Sequence, residues 1–275
     1  MSTAQEYSVL DDTTPVAHSR YHITALARGL VMLDVLSRRR TGLTVTKIAD
    51  ETGWSITTAF RVASTLSQLG YLNHDKHSGL YELAYPCLLL GYCATFNLEI
   101  SEIALPDLRQ LHHKTTQSVF LSVLVGAEIV SIVRLLRSER FGAVGDRFPA
   151  HATPNGKMLI AHLPVADRER LLASEKWTAY TSKTITDPER LRAAVELARH
   201  NGFAVTDDEL VIGTRGIAAP VFDSDGACVA AVSIVSAGNK LSLTAVLDLY
   251  CANVCETAKR ISVQLNNRYL RSRDI

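Results

Sequence analysis

TKIADETGWSITTAFRVASTLSQLGY, residues 46–71, contains two short runs of helical periodicity separated by Gly53-Trp54. Ser55 stands where an N-cap belongs, because a hydroxyl ahead of a helix can satisfy one of its unpaired first-turn N–H groups. From there Ile56, Ala59, Phe60, Ala63 and Leu66 recur at helical spacing and predict one buried face. The opposite face carries Thr57, Arg61, Ser64, Thr65 and Gln68, none of them acidic. A short helix of this kind can enter the major groove of duplex DNA, where hydroxyls and a guanidinium meet phosphates and base edges. A plain helical hairpin with a solvated outer face would have the same spacing, so the flanking sequence has to decide.

Downstream of Tyr71-Leu72, the run NHDKHSGLYEL is turn-rich from Asn73 to Gly79 and strand-like on both sides. It predicts a β-hairpin with His74, Lys76 and His77 at its tip. A hairpin placed directly after a second helix is a wing, and wings touch the sugar-phosphate backbone. Upstream, Leu43-Thr44-Val45 reads as a short strand. A first helix from Thr24 places Leu26, Leu30, Leu33 and Leu36 on one face and ends at Arg38-Arg39-Arg40 before Gly42. Basic residues in a last turn complement the helix dipole, and here they could also lie beside a DNA backbone. Between Arg20 and Glu82 eight basic residues face five acidic ones, a local surplus suited to phosphates. The expected layout is a disordered tail over 1–19 and a winged helix-turn-helix, the DNA-binding domain, over 20–84.

Hydrophobic residues make up 47% of the 275, enough for a sizeable core, and the net charge of +1 excludes a polybasic coat. Five cysteines, an odd number without a CxxC pair, predict reduced thiols in a cytoplasmic protein. No apolar run reaches membrane-spanning length, so no membrane partner is expected. His112-His113 and the helical pair Cys251/Cys255 invite a metal reading, but neither has further ligands at suitable spacing, so no metal is predicted.

Residues 85–100 predict a linker helix opened by Pro86, whose run Cys87-Leu88-Leu89-Leu90 favours burial against a partner. From 101 to 275 helices and hairpin-linked strands alternate irregularly. Helices are predicted over Ser101–Thr116, Lys157–Leu163, Asp187–Asn201 and Thr244–Arg268. Strands are predicted over Ser118–Val125, Glu128–Leu136, Phe203–Val205, Gly216–Phe222 and Ala227–Val235. Runs linked by short turns predict an antiparallel sheet, hence an α+β class.

Several of these stretches resemble IclR-type bacterial transcriptional regulators. ALARGLVMLDVLS and LTVTKIADETGWSITTAFRVASTLSQLGYLNHDKHSGLYEL are similar to that family's N-terminal domain. RFPAHATPNGKMLIAHLP and GFAVTDDELVIGTRGIAAPVFDSDGACVAAVSIVS are similar to its effector-binding domain. The resemblance implies a GAF-like effector-binding and oligomerisation domain, a homodimer or homotetramer, and binding to operator DNA as repressor or activator. In the reading helix and wing it implies Ser55, Thr57, Thr58, Arg61, Thr65 and Lys76 as DNA contacts, with Ile56 where relatives often have Lys. In the second half it implies Pro154, Asn155, Asp207, Gly216, Ser233 and Val235 as effector contacts, with Phe148 and Arg140 at the rim. Many members have Cys at Gly216 and Ser at Val235, so this pocket should be roomier and less polar. Backbone N–H groups around Asn155-Gly156, at a helix start, would suit a carboxylate. The implied ligand is a small organic acid, aromatic acids included.

Two other readings compete. One is an enzyme acting through Cys228 or Ser233, for which no base–nucleophile pair is legible and no catalytic residue is assigned. No phosphate-cradling loop or other cofactor motif occurs either. The other is a ligand-binding or interaction module with a vestigial helix-turn-helix, against which the intact polar face from Thr57 to Gln68 speaks.

Overall fold

The computed structural model of the chain describes residues 23–39, 41–96, 99–137, 145–237 and 241–273. They fall into two compact units, one ending at Phe96 and the other beginning at Asn97. The predicted tail and Arg40 lie outside the described residues, as does Arg140.

In the first unit α1 (Thr24–Ser37), β1 (Leu43–Thr44), α2 (Val45–Thr52), α3 (Ile56–Gln68), β2 (Leu72–Asp75), β3 (Leu80–Leu83) and α4 (Tyr85–Phe96) follow in order. The hairpin β2–β3 pairs antiparallel, and β1 joins its far side to give the order β1-β3-β2. Gly53 ends α2 in the left-handed region, at φ 69°, where glycine carries no Cβ penalty. Ser55 caps α3 by accepting the Thr58 N–H. The core gathers Met32, Leu36, Ile48, Ala49, Ala59, Ala63, Leu72 and Tyr81.

Two predicted faces need correction. Ile56 and Phe60 are exposed, and only Ala59 and Ala63 of α3 are fully covered. Likewise Leu26 and Leu30 of α1 lie outward, while Met32 and Leu36 fill the core. Helical spacing is shared by a core face and any adjacent apolar strip, so periodicity alone merges the two. In the arginine run Arg38 pairs with Asp34 and Arg39 with Glu51.

The second unit is a six-stranded antiparallel sheet, order β6-β5-β4-β9-β8-β7. Its strands are β4 (Ser118–Val125), β5 (Glu128–Leu135), β6 (Arg147–Pro149), β7 (Ala204–Asp207), β8 (Thr214–Phe222) and β9 (Cys228–Ala237). One face is covered by α5 (Glu99–Thr115) and the long α9 (Leu243–Arg273), and the core between them holds Leu108, Val119, Leu121, Ile217, Val232, Ile234, Val254 and Ile261. Asp107 of α5 accepts from Arg260 and Gln264 of α9, which clamps the helix pair. The other face is covered by α6 (Pro154–Ala161), α7 (Val165–Ser174) and α8 (Pro188–Asn201), over a core with Met158, Ile160, Leu172, Leu191 and Val195. The fold is α+β. Helix α6 starts three residues earlier than its sequence pattern indicates, because Thr153 caps it and Pro154 fits a first turn. The short β6 and α7 have no clear periodicity and emerge only from packing. Among the described residues no helix is long and apolar enough to cross a membrane.

Candidate functional site

Two surfaces carry the predicted residues, one in each unit. On α3 the side chains of Thr57, Arg61 and Thr65 are exposed, and Lys76 is exposed in the turn between β2 and β3. Arg61 and Lys76 make no ion pair among the described residues, so each cation is available to an anionic partner. Thr65 returns its hydroxyl to the Arg61 carbonyl, and Ser55 and Thr58 share a hydroxyl–hydroxyl bond of 2.9 Å at the cap. Ser55 and Thr58 thus shape the helix start, whereas Thr57 and Arg61 project from it. The wing is stiffened from within. His74 stacks on its cross-strand partner Tyr81 with ring centres 4.2 Å apart, and Asp75 accepts the His77 N–H. These bonds hold the Asp75 carboxyl below its ordinary range, the Ser78 hydroxyl contributing most.

A cavity of about 630 Å³ opens in the same unit beside α1 and α3, lined among others by Leu26, Leu30, Val62, Leu66, Leu69 and Leu90. Its walls are mostly apolar, and Leu88, Leu89 and Leu90 of α4 are more than half exposed.

In the second unit the register of the sheet sets which residues share the face under α6. Directly opposed residues of antiparallel strands project to the same side. Thr206, Gly216, Val235 and Ser118 therefore form one row across β7, β8, β9 and β4. Ala218, Ser233, Phe120 and Arg134 form the next, across β8, β9, β4 and β5. Pro220, Ala231, Ser122 and Ser131 form the third. The start of α6 lies on these rows. A Cβ at Gly216 would meet the Pro154 ring at 2.8 Å, so glycine here lets helix and sheet approach. Asn155 donates from Nδ2 to Ser122 Oγ at 2.9 Å and to the Ala231 carbonyl at 3.2 Å. Its Oδ1 and the Ser131 hydroxyl are buried without a protein partner, an unusual state for polar atoms in a core. Nearby, the Arg134 guanidinium lies 5.6 Å from the Phe120 ring centre and 5.9 Å from that of Phe148, and pairs with Asp146.

Of the predicted effector residues, Pro154, Asn155, Gly216, Ser233 and Val235 thus come together, with Phe148 at the edge. Asp207 does not join them. It is one residue out of phase with Thr206 and is held by Arg215 at 2.7 Å and Lys183 at 2.6 Å. The anion site expected at Asn155-Gly156 is closed as well, because Thr153 Oγ1 already accepts the Gly156 N–H and the turn packs on Ala150. Sequence reading missed Phe120, Ser122, Ser131 and Arg134 as members of this face. The strand alternation of β4 and β5 would flag all four, but only cross-strand register brings them under α6.

Behind this face Lys157 and Glu209 form a buried pair. Burial lowers the Lys157 ammonium and raises the Glu209 carboxyl from their ordinary values, and each partner opposes the other's shift. His151 is buried against Trp177 and Tyr180 and donates from Nε2 to the Thr178 carbonyl, and burial pulls its pKa down. Cys228 is pushed up to about 12 by burial, which leaves a thiol rather than a nucleophilic thiolate at neutral pH.

Residues 25–76 match the profile of the IclR helix-turn-helix domain, and residues 93–263 match that of the bacterial transcriptional regulator IclR C-terminal domain. The chain is 31% identical over 215 residues to the HTH-type transcriptional regulator XynR of Escherichia coli, covering 77% of this chain and 85% of that protein. It is 30% identical over 251 residues to the p-hydroxybenzoate hydroxylase transcriptional activator of Acinetobacter baylyi, covering 87% and 91%. The crystal structure of an IclR homolog complexed with 4-hydroxybenzoate, from Microbacterium hydrocarbonoxydans, superposes with a TM-score of 0.71 at 26% identity, over 88% of this chain and 98% of that one. Both matched profiles and these relatives describe regulators of transcription, not enzymes.

Proposed function

This chain belongs to the IclR family of bacterial transcriptional regulators, and from that premise we propose that a small organic acid, bound on the sheet face beneath α6, modulates its grip on an operator. The observation that carries the acid is the polar patch beneath α6, where Asn155 Oδ1 and the Ser131 hydroxyl are buried without protein partners and the Arg134 guanidinium, which also pairs with Asp146, lies over the Phe120 and Phe148 rings. A planar cation and two aromatic rings suit a carboxylate joined to a ring. The similarity to a 4-hydroxybenzoate-bound homolog and to a hydroxybenzoate-linked activator supports an aromatic acid.

On the DNA side Thr57 and Arg61 read base edges, while Lys76 on the wing meets phosphate. The protein works as at least a pair of subunits, with half-sites about one helical turn (~34 Å) apart. The exposed leucines of α1 and α4 support pairing through the first unit, since a surface of that kind is costly to leave in water. Effector control then requires the acid to favour one arrangement of the paired reading helices over another. Titrating 4-hydroxybenzoate and a panel of related acids into full-length protein on a selected duplex, read by fluorescence anisotropy, tests the scheme. An affinity change with at least one acid is expected. No change with any acid, together with no heat in calorimetry, refutes effector control by this class.

A further inference from the structure

Ile56 and Phe60 are the two large apolar side chains of α3 that its core leaves outside, at 55% and 52% exposure, while Ala59 beside them is fully covered. Four residues apart, they make one continuous apolar strip along the first two turns, next to Thr57 and Arg61. Exposure alone names no partner, but three further observations do. First, α3 contains no acidic residue, and its only charge is Arg61, so the surface suits a polyanion. Second, the strip occupies the N-terminal half of the helix, the end that reaches base edges in helix-turn-helix docking. Third, neither residue lines the leucine-rich cavity beside α1, whose wall includes Thr58, Arg61 and Thr65, so the strip adjoins that face without being part of it. In a major groove an apolar side chain has one hydrophobic target, the C5-methyl group of thymine.

We propose that Ile56 and Phe60 read thymine methyl groups, so that the operator carries A·T pairs where the first two turns of α3 meet it. The proposal rests on the DNA-binding reading above and goes further by naming the bases and the side chains that choose them. It explains why an aliphatic side chain can stand at position 56 of a reading helix, where a Lys would meet phosphate or guanine instead.

The test uses the full-length chain and a duplex enriched by it from a randomised double-stranded pool. Thymines of that duplex are replaced singly by deoxyuridine, which removes the methyl group and leaves every hydrogen-bonding edge intact. The expected result is a roughly fourfold loss of affinity, the worth of one buried methyl-sized group, at one or more positions. That loss should vanish in Ile56→Ala or Phe60→Ala, whose side chains lie outside the buried core cluster, with the melting temperature of each variant checking that the fold is kept. Indifference to deoxyuridine at every position overturns the proposal while leaving DNA binding intact. A loss that persists undiminished in both variants also overturns it. Failure to enrich any duplex instead removes the DNA-binding reading itself.

Discussion

Lys157 Nζ lies 2.5 Å from Glu209 Oε1, and both side chains are more than nine-tenths withdrawn from water. The pair ties the first turn of α6 to the turn after β7, two elements that border the proposed effector face. The hydroxyls of Thr181 and Thr184 bond to carbonyls of that same turn, so the pair sits in a braced corner. Removing one member leaves the other charge buried and alone, which is far costlier than losing a surface pair.

Glu209→Ala should therefore destabilise the second unit by about 3–5 kcal/mol near pH 7, read as a shift in the urea midpoint. The variant should recover stability as pH rises. Burial holds the folded Lys157 below its ordinary 10.5, so the folded state binds fewer protons than the unfolded one, and stability climbs between the folded value and 10.5. A flat profile would show that the ammonium finds another anion or water.

Gly156→Ala should be poorly tolerated. The added Cβ would lie 2.1 Å from the Ala150 carbonyl oxygen, which is backbone and cannot rotate away. Overpacking of this kind costs roughly 1–3 kcal/mol or more, and a drop in thermal midpoint with reduced acid binding is the expected result. An unchanged midpoint would mean that α6 can slide on the sheet.

Mild acid should weaken the second unit through its histidines. Burial lowers both His151 and His162 below their ordinary 6.5, so the folded state holds them neutral while the unfolded chain protonates. Their contribution is intact above pH 6.5 and declines as pH falls through the interval below it. Denaturation midpoints measured from pH 7.5 to 5.5 should slope downward, and the slope should flatten in a His151→Gln, His162→Gln double variant.

On the DNA face, Arg61→Ala should weaken specific binding by about 1–3 kcal/mol and relax preference at one base pair. Lys76→Ala should weaken all duplexes alike and reduce the salt slope by about one. Mobility shifts on selected and random duplexes at several salt concentrations separate the two. A sequence-dependent loss for Lys76→Ala would move that residue from backbone to base contact.

Arg134→Lys keeps a cation but loses the planar fork and the ring stacking. Binding of 4-hydroxybenzoate, or of whichever aromatic acid gives heat with the wild type, should fall by about tenfold or more in calorimetry, consistent with loss of a bidentate contact. Undiminished binding would place the acid elsewhere on the sheet.

The sequence by itself determined the helix-turn-helix and its hairpin, because caps, glycine turns and short-range periodicity are local signals. Ser55, Gly53 and the Asn73–Gly79 turn act within a few residues of where they stand. It also determined that Thr57 and Arg61 point outward, since an uninterrupted polar strip has nowhere else to go. Only tertiary structure decided that Ile56 and Phe60 share that outward side, since an apolar strip at helical spacing does not say how wide the core beneath it is. The effector face depended on tertiary structure still more. Gly216, Ser233, Phe120 and Arg134 lie on four strands far apart in the chain, and register alone sets them side by side. A shift of one residue in that pairing would send Thr206 away from the face and bring Asp207 onto it, a choice fixed by hydrogen bonds between strands and written in no local stretch of the chain.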